Sequence, residues 1–363
     1  MFVTHFQRAI TYLREAQEIA LFTTLADARL SAIFRTSPLF YITLPFIGLL
    51  LTVNALINGY RLAKANNRNF DRWFLFGTSA VCALLASIAL YGAAISMALG
   101  YSFAAAPWFF TSSLIVAWGH QLVMFGLNLY RALESPPNSI HRMHYIQAAL
   151  GNLFAMTLLT FALGAVVFTL LFPIAPAVGT LFALTAVLFT GLDILWSVVP
   201  HALKRTVKGW FHLSKPDVIQ DAIANQEENL KVKNFKEEEP NHPKHHRIFT
   251  CCDYSAVIRT MAIDAIKPYL LGLIQWKLQI LRQKADLEDE KIKDKISLLT
   301  TLLNVIETSQ KISKKDVLVK YPLAFQSFWS EKGEVEQIFD AVIVSKNRSQ
   351  PSEIENLSPG ISV

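Results

Sequence analysis

A chain of 363 residues can hold two or three domains, but its charge is divided so unevenly that an ordinary soluble fold is excluded from the first half. Residues 1–199 carry 10 basic and 6 acidic side chains, leaving 24 of the 34 basic and 22 of the 28 acidic ones for 200–363. Most of the net +6 therefore lies in the charge-poor half, and no basic run with interleaved aromatics accompanies it, which argues for membrane topology and against nucleic-acid binding.

In chain order, residues 2–34 place Phe2, Phe6, Ile10, Leu13, Ala16 and Ala20 three or four apart. This predicts an amphipathic N-terminal helix within 1–37 that lies on the membrane surface or packs on a soluble domain. Arg8, Arg14, Glu15 and Glu18 interrupt the first apolar run, so no cleavable signal peptide is expected.

Two long runs follow with no Asp, Glu, Lys or Arg: Trp73–Tyr130, 58 residues, and Met143–Leu192, 50 residues. Each is long enough for two crossings of about 20 residues. The breaks at 100–107 and at Phe172-Pro-Ile-Ala-Pro176 are where a helix would turn back. The expected fold is all-α: a polytopic membrane bundle over 38–199 followed by a cytosolic helical domain. Its five transmembrane helices, near 38–58, 73–99, 107–130, 146–172 and 177–199, form one single span plus two helical hairpins. The first is the shortest and contains Pro45, Asn54 and Asn58, which leaves a re-entrant segment as its alternative.

Arg61, Lys64, Arg68 and Arg72 lie between spans one and two, Arg131 and Arg142 between three and four, and Lys204, Arg205, Lys208 and Lys215 after five. The other two turns are uncharged. Basic connections favour the cytosolic side, which puts the C-terminal domain there. The motifs Asn58-Gly-Tyr-Arg61 and Asn128-Leu-Tyr-Arg131 are 70 residues apart, as are Arg72 and Arg142, the pattern of a duplicated unit in one orientation. Gly92, Ser96 and Gly100, and Gly151 with Ala155, are small residues at helical spacing that permit close helix contact.

Beyond the bundle, 200–225 reads as basic juxtamembrane helices, with Lys204, Arg205, Lys208, Trp210 and Phe211 set for an anionic membrane surface. Residues 226–250 form a polar, His-rich linker. A helical domain is expected over 251–344. One of its stripes comprises Ile258, Ala262, Ala265, Tyr269, Leu273, Trp276 and Ile280. A second, coiled-coil-like seam comprises Ile292, Ile296, Leu299, Leu303 and Ile306. Residues 345–363 are a polar tail. Around Ser352–Glu355 and at Ile361 and Val363 the tail resembles the C-terminal signals of type IV secretion substrates, which implies an effector inserted in a target membrane.

Asp193 is the side chain with most chemical content, an acid roughly 9 Å inside the span border at Val199. Such a group requires a partner or water. By depth it shares a polar layer with His120, Gln121, Asn152 and Asn54, flanked by Thr78 and Ser79. That layer is either a proton or substrate site or hydrogen-bonded glue between helices. His242, His245 and His246 followed by Cys251 are a second candidate set, since imidazole and thiolate ligate zinc. The adjacent Cys252 and the lack of a further ligand pair favour a solvated linker. Three cysteines make no disulfide framework and suit a reducing compartment. No phosphate loop, Gly-x-Ser-x-Gly or His-Glu-x-x-His is present, so an enzyme is not favoured and no cofactor is implied.

The function expected from these features is a membrane-anchored interaction protein, whose cytosolic helices bind a protein partner or a second copy. The alternative is a small transporter or channel centred on Asp193.

Overall fold

The computed structural model describes residues 12–13, 16, 19–24, 26–27, 29–30, 32–33, 37–172, 175–237, 253–283, 289–308, 310 and 312–349. Among them every regular element is a helix. Two compact units are formed. The first comprises 1–65, 70–130 and 144–214; the second comprises 66–69, 131–143 and 215–363.

The first unit contains α1 (Pro38–Lys64), α2 (Phe70–Ala98), α3 (Ala106–Glu134), α4 (Ile140–Val166), α5 (Pro176–Val198) and α6 (His201–Trp210). All but α6 are long and apolar enough to cross a membrane, and no more than a third of any apolar window among them is buried. Leucines such as Leu84, Leu181, Leu188 and Leu195 point outward. Water tolerates no such area of exposed leucine, and lipid does. The segment around Pro45 and Asn54, which left a re-entrant alternative open, is one uninterrupted 27-residue helix.

A shift of 70 residues carries Lys64 to Glu134 and Phe70 to Ile140, so α1–α2 and α3–α4 turn at equivalent places. Asn58 and Asn128 are both buried at equivalent positions. The 70-residue spacing of the motifs is therefore matched in the helix boundaries.

Helix α2 ends in a Schellman motif: Gly100 takes φ +79°, Tyr101 N–H donates to Ser96 O at 2.8 Å, and Gly100 N–H donates to Met97 O at 3.1 Å. The small residues act differently from expectation. A Cβ on Gly92 meets the Phe103 ring in the turn at 2.7 Å, and one on Gly151 meets nothing within 4 Å. Close packing falls instead at Gly59 against Phe76 and at Gly164 against Phe182. At Gly179 of α5 the neighbours include backbone, that of Phe168 and Thr169 in the π-helical turn Val167–Leu171 that follows α4.

Upstream of α1, part of the N-terminal segment packs into the bundle. Phe22 is 3% exposed and packs with Ala162, Ala165, Ala183 and Ala186. Four alanines leave room for one ring, and a six-carbon aromatic at position 22 fills it.

The second unit contains α7 (Val218–Glu237), α8 (Tyr254–Thr260), α9 (Ile263–Gln283), α10 (Glu290–Thr308), α11 (Lys314–Lys320) and α12 (Glu334–Ser349). Helix α7 runs on to Glu237, into the stretch that composition reads as linker, and α12 runs to Ser349, into the stretch read as tail. The core is Ile266, Leu270, Leu273, Ile274, Leu278 and Leu281 of α9, against Leu298, Leu299 and Leu302 of α10 and Ile338, Phe339 and Val342 of α12. Of the expected stripe, Ile258 and Leu273 are buried and Tyr269 and Trp276 pack on the core, whereas Ala262 and Ala265 are exposed. The break at Met261–Ala262 between α8 and α9 resets the helical phase, which periodicity alone passes over. Ile296, Leu303 and Ile306 of the coiled-coil-like seam pack on this same core.

Both short connections belong to this unit. Asn67 donates from Nδ2 to Ser330 O (3.0 Å) and Glu331 O (2.7 Å), and its Oδ1 accepts from Ser327 N–H (3.0 Å). Arg131, almost fully buried, donates to Trp329 O at 3.1 Å. At the start of α4, Ile140 N–H donates to Asp221 Oδ1 (2.7 Å), and Asn225 joins Asp221 to the Asp253 N–H.

Asp253 caps α8 through the N–H groups of Ser255 and Ala256 and lies 3.7 Å from His141. Burial pushes its carboxyl up, but the His141 hydrogen bond and charge, with the Ala256 and Ser255 N–H groups, outweigh this and hold it below the usual carboxylate range. A depressed acid stabilises the fold above the unfolded value, near ~4, and that stabilisation is lost as pH falls through the folded value. Asp253→Asn retains a capping oxygen without the charge. It is expected to flatten the acid limb of unfolding below about pH 4, followed by circular dichroism; an unchanged acid limb refutes the assignment.

Candidate functional site

A cavity of about 1000 Å³ opens inside the first unit, lined by residues of all five long helices, of α6 and of the N-terminal segment. Its character follows from where each helix changes composition. On α1, Asn58 and Asn54 line the part nearer the α1–α2 connection, and Leu51 and Ile47 the part beyond. On α2 the sequence is Thr78 and Ser79, then Cys82 and Ala86; on α3, Gln121 and His120, then Leu114 and Phe110. Helix α4 contributes His144 and Gln147, then Phe154, Leu158 and Ala162, and α5 contributes Asp193, then Thr190. Polar side chains thus collect at the end near the short connections, and Leu21 and Phe22 line the cavity with the apolar residues.

Of the polar layer expected around Asp193, Asn54, Thr78, Ser79, His120 and Gln121 line this cavity with it. Asn152 does not line it, although its neighbour Gly151 does. A depth count fixes the height of a residue in a helix and not its azimuth, and one residue is a turn of about 100°.

Thr78 Oγ1 lies 2.7 Å from the Phe74 carbonyl one turn back and 3.0 Å from His120 Nδ1. Its single proton goes to the nearer carbonyl, so the hydroxyl accepts from Nδ1–H and Nε2 keeps its lone pair. The imidazole also stacks on Phe74 with centroids 4.9 Å apart. Asn58 Nδ2 donates to Ser79 Oγ at 3.2 Å. Ser113 and Cys82 bond reciprocally to each other's carbonyls, at 3.1 Å from the hydroxyl and 3.4 Å from the thiol, which ties α2 to α3.

The surface set from the juxtamembrane segment divides. Arg205, Trp210 and Phe211 are exposed. Lys204 instead donates to Ser197 O at 3.0 Å and lies over the Trp196 ring. Lys208 is turned inward: it lines the cavity and donates to Gln147 Oε1 at 2.9 Å, while Gln147 Nε2 donates to Leu213 O at 2.6 Å. Gln147 and His144 were missed as site residues, and Lys208 was assigned to the membrane surface, because each lies in or next to a basic segment that reads as interfacial.

Among the described residues no group of three or more His, Cys, Asp or Glu is placed to hold a metal ion. His242, His245, His246 and Cys251 lie outside the described residues.

The arrangement offers a carboxylate, an ammonium and an imidazole base in one apolar-walled chamber, a combination suited to binding a polar group or passing a proton. No family model, no curated protein and no solved structure matches the chain.

Proposed function

We propose that this is a multi-pass membrane protein whose bundle binds a small molecule in the intramembrane cavity and moves it or a coupled proton through Asp193, with the C-terminal unit on the cytosolic side. The observation that carries this reading is the cavity itself, into which five membrane-length helices and the inward-turned Lys208 direct their polar groups. The cytosolic placement is supported by the basic Arg61–Arg72 and Arg131–Arg142 connections, whose 66–69 and 131–143 segments belong to the C-terminal unit. In this mechanism Asp193 takes a proton or a cationic group, His120 Nε2 is a second acceptor lining the same cavity, and Gln147 holds Lys208 in place.

The reading as an anchor for a partner protein requires an apolar face left over on the C-terminal helices. Of the stripes singled out for that role, Leu273 and Leu299 are 0% exposed within their own domain, while Ala262 and Ala265 remain exposed.

The full-length protein in vesicles loaded with a pH-sensitive dye is expected to dissipate an imposed pH gradient. Asp193→Asn is expected to slow this by about 10- to 100-fold, the equivalent of the ~1.5–3 kcal/mol of a charge-assisted hydrogen bond, with expression and folding unchanged. Equal rates for the two proteins mean that the polar layer is only glue between helices.

A further inference from the structure

The chemistry of the ligand can be read from the two halves of the cavity, given the reading of it as a binding site. On α4 the lining runs from His144 to Ala162, roughly 27 Å of helix axis at ~1.5 Å per residue. Over that length the wall changes from Lys208, Asp193 and His120 to Phe110, Leu114 and Leu158. A fully hydrated solute leaves the apolar half without a partner, and a hydrocarbon leaves the charged half desolvated with nothing to bond. A molecule with both characters satisfies both ends.

The geometry points to a zwitterionic single-chain amphiphile of the lysophospholipid class as the occupant of this cavity. Lys208, fixed by its 2.9 Å bond to Gln147, faces the head's phosphate, and Asp193 faces its amine. The chain lies along Phe110, Leu114 and Leu158. The cavity, about 1000 Å³, accommodates a phosphate-amine head with one long chain laid along that wall.

The test uses the full chain in dioleoylphosphatidylcholine vesicles and a lysophosphatidylethanolamine carrying a diazirine at the end of its chain. After illumination, label is expected on the peptides containing Leu114 and Leu158, removed by a tenfold excess of the unlabelled probe and not by phosphoethanolamine. Asp193→Asn and Lys208→Gln are each expected to reduce the competed label several-fold, and Leu158→Trp to abolish it at Leu114. Label confined to the outward residues Leu84 and Leu188, or insensitive to competitor, overturns the assignment. Competition by phosphoethanolamine as strong as by the whole probe overturns the amphiphile and leaves the polar site of the preceding section intact. Loss of proton flux in Asp193→Asn is scored separately, so failure of that reading is visible whatever the label shows.

Discussion

Asn67→Ala is expected to destabilise the second unit by about 2–4 kcal/mol, since it removes three hydrogen bonds of ~1 kcal/mol each, one of them to a buried residue. The atoms that lose Asn67 are the carbonyls of the buried Ser330 and of the exposed Glu331, and the N–H of the half-buried Ser327. Asn67 is 7% exposed, so water replaces little of what is lost. Aspartate is not a rescue: it keeps the acceptor for Ser327 but sets a negative charge against two carbonyl oxygens. Hydrogen exchange followed by mass spectrometry is the measurement. The 326–333 peptide of both variants is expected to lose protection while the α9 peptides keep theirs, and full protection of 326–333 in Asn67→Ala refutes the account.

Gly179→Ala is expected to destabilise the bundle by about 1–3 kcal/mol through overpacking. The new Cβ lies 2.6 Å from Thr169 Oγ1 and 3.2 Å from both Phe168 C and Thr169 N. A side chain can rotate away, but backbone atoms move only if α5 and the π-turn separate. In lipid no hydrophobic drive holds two helices together, so packing at such a point carries much of their association. Gly126 is the control, because a Cβ there meets nothing within 4 Å and the added methyl raises helix propensity by ~0.5–1 kcal/mol. Thermal unfolding in detergent is expected to rank Gly126→Ala at or above the wild type and Gly179→Ala well below it. Equal midpoints for the two variants remove the close-packing argument.

The membrane-length helices were readable from the sequence because hydropathy is a one-dimensional property: 58 and 50 residues without an ionisable side chain leave a short list of solvents. The polar layer around Asp193 was readable to the extent that depth along a helix is set by residue number. It failed where azimuth matters, as at Asn152, and where a residue reaches back from a neighbouring segment, as Lys208 does to Gln147. The buried face of α9 was caught only in part: Leu273 lies on it, while the break at Met261–Ala262 leaves Ala262 and Ala265 outside. The attachments of Asn67 and Arg131 had no local signature at all. Each is a single polar residue in or beside a basic connection, and its partners are backbone atoms of a segment with no regular structure.

Those attachments also set an order on biosynthesis. Asn67 finds Ser330 across 263 positions of chain, which at ~5–20 residues per second is a delay of roughly 13–50 s during translation. Throughout that interval α1 is already made while the peptide groups that Asn67 will bind do not yet exist. The second unit is therefore a late event in the life of each molecule. A ribosome stalled before residue 327 leaves five complete apolar helices with the partners of Asn67 and Arg131 still to be made.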